Sequence, residues 1–254
     1  MNKVITPTEA KKTLNQLKEA IEESKEESEI LILLSKFEKT SGSFPESELT
    51  NLFNLLCDIL KLKKKDLQKK ALKVASSFKN IDLEKSIILN LITTFNHIKN
   101  DIKSDYTVCQ YVINVYSDLK LVNWYFKESI PLFIFLFNEK NNWTSRDIYN
   151  LFNIYLKKEE NILEFLKHEE LIQAFVVFPK EGIKDHYHPY IYHINKCLKI
   201  LLFHDSRTRQ LILGKLKVSN PTWFKRYNNI FNFDTKEIII HFHDQFETSF
   251  KSIS

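Results

Sequence analysis

Apolar residues recur at intervals of three and four along most of the chain, the spacing that lines one face of an α-helix. Leu49, Leu52, Phe53, Leu56, Ile59 and Leu60 form one such stripe, and Leu67, Ala71, Val74, Ala75 and Phe78 a second. Ile88, Leu91, Ile92, Phe95 and Ile98 form a third. Alternation at period two is scarce, and only 3 Gly occur in 254 residues. Helix starts carry their own signals. Thr6-Pro7-Thr8-Glu9 sets a hydroxyl at the N-cap, a proline where a missing N–H costs nothing, and a carboxylate that can reach back to the cap. Thr144-Ser145-Arg146-Asp147 has the same spacing between Trp143 and Ile148, Asp234-Thr235-Lys236-Glu237 repeats it, and Asn220-Pro221 is a shorter version. The pattern predicts an all-α chain with more than about 60% helix.

Residues 6–38 read as one long helix or two, with Glu22–Ser28 as the candidate break, and Ser41-Gly42-Ser43-Phe44-Pro45 as the first loop. Further connections are expected near 61–65, 80–82, 100–104, 118–123, 140–144, 158–160, 179–189, 204–206, 218–220 and 232–234. Such short links suit packed helix pairs. No long linker divides the chain, so residues 1–254 are expected as one domain, with 1–40 as N-terminal capping helices and 41–254 as stacked helices.

Two stretches resemble armadillo or HEAT repeats: Asp66-Leu67-Gln68-Lys69-Lys70-Ala71-Leu72-Lys73-Val74-Ala75 and Ser206-Arg207-Thr208-Arg209-Gln210-Leu211-Ile212. The resemblance implies a right-handed stack of antiparallel helix pairs, an α-solenoid in which each pair buries its face against its neighbours. An irregular helical bundle satisfies the same periodicity. Residues 30–79 also resemble the small helical bundle at the N-terminus of transcription elongation factors, which implies an association with nucleic acid or transcription.

Composition narrows the class further. With 43% hydrophobic residues, including 20 Phe, 10 Tyr and 3 Trp, the chain carries more apolar area than a disordered one. No run reaches the roughly 18 uncharged apolar residues of a membrane span. Met1–Pro7 lacks the apolar core of a secretory signal. Cys57, Cys109 and Cys197 are odd in number and far apart, so no disulfide framework is expected. The expected location is intracellular, cytoplasmic or nuclear.

Charge is unevenly placed. Residues 1–50 hold 7 Lys and 10 Glu, whereas residues 61–79 hold 8 Lys against the single Asp66. Lys61, Lys63, Lys64, Lys65, Lys69, Lys70 and Lys73 are either the solvated face of a helix junction or a basic patch for an acidic protein, nucleic acid or a membrane surface. The absence of Arg from this run argues against base-specific recognition.

Chemistry-bearing residues give little. His186, His188, His193, Cys197 and His204 fall within 19 residues. His193 and Cys197 are four apart and would share a helix face, the one spacing suited to a metal. Tyr187, Tyr190 and Tyr192 crowd the same region and favour packing. His241 and His243, two apart, diverge on a helix. Cys57 lies on the stripe of Phe53, Leu56 and Leu60, and Cys109 beside Val108 and Val112, so both read as small buried hydrophobes. No nucleophile elbow, P-loop or dinucleotide fingerprint is present. No catalytic residue, resident metal or cofactor is therefore expected.

Aromatic density remains. Trp124-Tyr125-Phe126, Trp143 and the cluster Trp223, Phe224, Lys225, Arg226 and Tyr227 concentrate side chains that serve either a core or an interface. The last cluster is the expected partner-binding site, with 220–250 docking a protein partner or a second copy of the chain. The function expected from all this is a non-catalytic protein–protein interaction module, a scaffold or adaptor subunit. The alternative is a nucleic-acid-associated helical module using residues 61–79.

Overall fold

Thr6 opens the first helix as its neighbours require. Its hydroxyl accepts from the Glu9 backbone N–H at 3.3 Å, and the Glu9 carboxylate accepts from the Thr6 N–H at 3.1 Å. The computed structural model describes residues 5–79, 81, 83–103, 105–119, 125–140, 142–178 and 189–231. Among them are thirteen α-helices, two short 3-10 turns at Ser41–Ser43 and Glu46–Glu48, and no strand. The expected all-α class is what the chain adopts.

The chain forms two compact units, Met1–Glu139 and Lys140–Ser254. The division falls at the edge of the connection expected near 140–144. The first unit contains α1 (Pro7–Glu22), α2 (Glu27–Thr40), α3 (Leu49–Lys61), α4 (Lys65–Ser77), α5 (Lys85–Ile98), α6 (Tyr106–Asp118) and α7 (Phe126–Asn138). The odd-numbered helices pack in succession, α1 on α3, α3 on α5 and α5 on α7. So do the even ones, α2 on α4 and α4 on α6, while α1 with α2 and α3 with α4 join the layers. Between the layers lie Leu34, Phe37, Leu52, Leu56, Leu67, Leu72 and Leu91, all fully buried. Phe44, from the predicted loop, packs edge-on between Phe37 and Phe78 at 5.8 and 5.6 Å.

Scarce glycine leaves the tight turns to other residues. Ser24 after α1, Lys63 between α3 and α4, and Tyr125 before α7 hold φ of 51, 57 and 54°, in the left-handed region. Each costs about 1–2 kcal/mol relative to an ordinary conformation. The break foreseen within Glu22–Ser28 is thus a real turn, and residues 6–38 form two helices.

The second unit contains α8 (Asn142–Tyr155), α9 (Glu159–Phe165), α10 (Glu169–Val176), α11 (Pro189–His204), α12 (Ser206–Ser219) and α13 (Pro221–Phe231). Helix α11 packs on α8 and α12, and α12 also packs on α10 and α13. One start signal is misplaced. Helix α8 begins at Asn142, so Thr144 is its third residue and not its cap. Thr144 and Ser145 are both buried, which places them in the helix body facing the core. Pro221 does open α13, and the buried Asn220 before it donates its side-chain amide to the Val176 carbonyl at the end of α10. The signal at Asp234-Thr235-Lys236-Glu237 lies outside the described residues. Two caps escaped the sequence reading: Asp105 and Asp205 accept from Val108 N–H at 3.2 Å and Thr208 N–H at 2.8 Å. The sharp break between α9 and α10 also escaped it.

Candidate functional site

The lysine-rich segment is divided by its own geometry. Three of its members lie on α4 and face acids of the flanking even-numbered helices. Lys70 and Lys73 reach the Glu38 carboxylate of α2 at 2.6 and 3.0 Å. Lys69 reaches Asp105, the N-cap of α6, at 3.2 Å. Burial pushes the Glu38 carboxyl up, but the hydrogen bonds from Lys70 and Lys73 outweigh it and hold it below its ordinary value. Burial is likewise outweighed at Asp105, where the Val108 N–H and Lys69 favour the ionised form. These lysines tie α2, α4 and α6 into one layer.

The remaining four sit at or beside the α3–α4 turn. Lys61 pairs with Asp58 of its own helix at 3.4 Å, and Lys63 lies 3.8 Å from Asp101 in the α5–α6 turn. Lys64 and Lys65 are exposed and form no salt bridge among the described residues. Pairs this exposed contribute little, a fraction of a kcal/mol to about 1 kcal/mol.

Beside the α4 lysines, α2 presents a surface that sequence reasoning missed. The run Ile30-Leu31-Ile32-Leu33-Leu34 looks uniformly buried, but a helix cannot bury five consecutive residues against one layer. Ile30 and Leu34 point inward, while Ile32 is 61% exposed and Leu31 half-buried. Leu31, Ile32, Ser35, Lys36 and Lys39 line a shallow groove of about 470 Å³. The signal was available: Ile32 lies two residues off the stripe Ile30, Leu34, Phe37. On the other side of α4, the outward face of α6 carries Tyr106, 50% exposed, with half-buried Gln110, Tyr111 and Asn114.

In the second unit, two residues of the aromatic cluster, Trp223 and Tyr227, sit in the core. Trp223 is only 5% exposed, its ring 4.9 Å from Phe178 and stacked on Tyr227 at 6.0 Å. Tyr227 is buried and donates its hydroxyl to the Asn195 side chain. Phe224 is half-buried beneath Lys217, and Lys225 is exposed. A partner meeting this cluster from solvent reaches Phe224 and Lys225, not Trp223 or Tyr227. The Arg226 side chain and residues 232–250 of the proposed docking region lie outside the described residues, as do Trp124 and the Trp143 side chain. Tyr125 precedes α7, whose first residue Phe126 is buried.

His193 and Cys197 share α11 but not an environment. Cys197 is fully buried, its thiol donating to the Tyr149 carbonyl at 3.3 Å, and burial pushes its pKa far up. His193 is half-buried, and desolvation, then Lys196 and Arg146, push its pKa below the ordinary value. Among the described residues no three His, Cys, Asp or Glu side chains gather as metal ligands. His186, His188, His241 and His243 lie outside them. Cys57 and Cys109 are buried and free, with burial pushing their pKa values up to about 11 and about 12. Neither is poised as a nucleophile. No described helix is long and apolar enough to cross a membrane. No protein-family model matches the chain, and no curated protein or solved structure matches it either.

Proposed function

We propose that the protein is a non-catalytic interaction module, a scaffold or adaptor of helical-repeat type, whose working surface is the outward face of α2, α4 and α6. The observation that carries this is the composition of that face. Leu31 and Ile32, then Lys73 and its neighbours, then Tyr106 and Tyr111 lie on three consecutive helices of one layer. Ion pairs through Glu38 and Asp105 hold the three in register. Aromatic, aliphatic and cationic side chains on a rigid support are the groups from which protein interfaces draw their affinity. Helix α1 offers a contrast within the same unit: its outward side chains include Lys11, Lys12, Lys18 and Glu19, and its apolar Leu14 and Leu17 are buried. Three free buried cysteines support an intracellular, reducing setting.

Lysine-directed cross-linking in the native cell, read by mass spectrometry, tests this. Cross-links to a partner should concentrate on Lys36, Lys39 and Lys73. Cross-links spread evenly, or confined to Lys11, Lys12 and Lys18, would remove the proposed surface.

A second reading, a nucleic-acid-associated module, is favoured by one observation, the exposed and unbridged Lys64 and Lys65 beside Lys61 and Lys63. It predicts binding to generic RNA or DNA that falls steeply with salt, with a log–log slope of about −3 to −4 for four phosphate contacts. A flat salt dependence rejects it.

A further inference from the structure

We infer that the groove on the outer face of α2 docks an acidic amphipathic segment of a protein partner. This rests on the interaction-module reading and names the chemistry of one part of that surface.

The groove combines an apolar floor with a cationic end. Among the described residues of the first unit, Ile32 is the most exposed large apolar side chain, and Leu31 and Ser35 flank it. Lys36 and Lys39 follow at four and seven residues, so they stand over the same face one and two turns on. Both are exposed, and neither forms a salt bridge among the described residues. The acid nearest to them in the chain, Glu38, has its charge held by Lys70 and Lys73. It leaves the two lysines free to meet carboxylates from outside.

The distribution of charge along α2 sets a direction. Glu27 and Glu29 occupy the first turn, and Lys36 and Lys39 the last two. A ligand segment therefore places an apolar side chain between Leu31 and Ile32 and its carboxylates toward Lys36 and Lys39. It carries neutral or basic residues at the end that meets Glu27 and Glu29. Complementarity of this kind selects partner and orientation.

The same features disfavour other polyanions. A nucleic acid gains nothing from Leu31 and Ile32, and α2 offers no outward aromatic ring on which a base could stack. An anionic membrane surface meets Glu27 and Glu29 on the same helix.

The test uses the full chain and a fluorescein-labelled helical peptide with one leucine face and one glutamate face, read by anisotropy. Wild type should bind it, and a peptide with lysine in place of glutamate should bind at least about tenfold more weakly. Ile32→Ser and, separately, Lys36→Glu with Lys39→Glu should each weaken binding by about tenfold or more. Circular dichroism should show unchanged helicity, since all three positions are exposed, and the two variants are read independently. The inference is overturned if either folded variant binds like wild type, if both peptides bind equally, or if a labelled RNA duplex binds where the acidic peptide does not. Partner cross-links on Lys36, Lys39 and Lys73 without acidic-peptide binding would sink this inference while leaving the interaction-module reading intact. Loss of those cross-links with peptide binding retained would do the reverse.

Discussion

Glu38 on α2 and Lys70 on α4 meet at 2.6 Å, with side chains only 24% and 20% exposed, and Lys73 closes on the same carboxylate at 3.0 Å. Thirty-two residues apart in the chain, they turn what reads as a basic patch into a joint between two helices. Ion pairs this shielded are sensitive to the loss of one partner, because the other charge stays partly desolvated.

Glu38→Gln should lower the stability of the chain at neutral pH by about 1–2 kcal/mol. The carboxyl is held below its ordinary 4.5, so its contribution is full above that value and is lost as pH falls through the lowered one. Urea unfolding of wild type and variant should therefore converge at acid pH and separate above about pH 5. A difference that stays constant down to pH 2 would mean that the pair does not act as described.

Trp223 and Phe224 are adjacent but should behave oppositely. Trp223→Ala empties a position between Phe178 and Tyr227 and should cost about 3–5 kcal/mol. Phe224→Ala removes a half-buried ring beneath Lys217 and should cost at most about 1–2 kcal/mol. Thermal melts of the two variants decide. Equal losses would contradict the burial of Trp223.

Gly214 lies inside α12, and nothing stands within 4 Å of where a Cβ would be placed. With helical backbone and open space, Gly214→Ala should raise stability by about 0.5–1 kcal/mol through the lost freedom of the unfolded chain. A lowered melting temperature would show that this position is constrained by something other than its backbone.

Cys57, Cys109 and Cys197 are buried, and burial raises each thiol's pKa. In the native protein at pH 8 all three should fail to react with a thiol-specific disulfide reagent on a scale of minutes, and all three should react in urea. Rapid modification of one thiol in the folded chain would mark it as accessible.

Features decided within a few residues were legible before any tertiary structure. The Thr6–Glu9 capping box, the all-α class and the connections at 61–65 and 204–206 all depend on hydrogen bonds or apolar spacing inside one or two turns. Cys57 and Cys109 were legible as core because each lies on a stripe whose period already assigns it a face. The helix start at Thr144 was not, because two hydroxyl residues with ideal capping spacing are drawn into α8 by burial.

What only the tertiary structure decided is which neighbour each face meets. From sequence, Lys70 and Lys64 are the same residue in the same basic run; packing of α4 between α2 and α6 gives one a carboxylate partner and leaves the other in water. Ile32 belongs to an unbroken apolar run, yet it is exposed because α2 buries only the face of Ile30, Leu34 and Phe37. Trp223 looks like an interface residue until Phe178, far back in the chain, closes over it. Helix formation is set by local spacing and caps, whereas burial and pairing are set by contacts between residues tens of positions apart, and a periodic pattern carries no record of which helix will lie beside it.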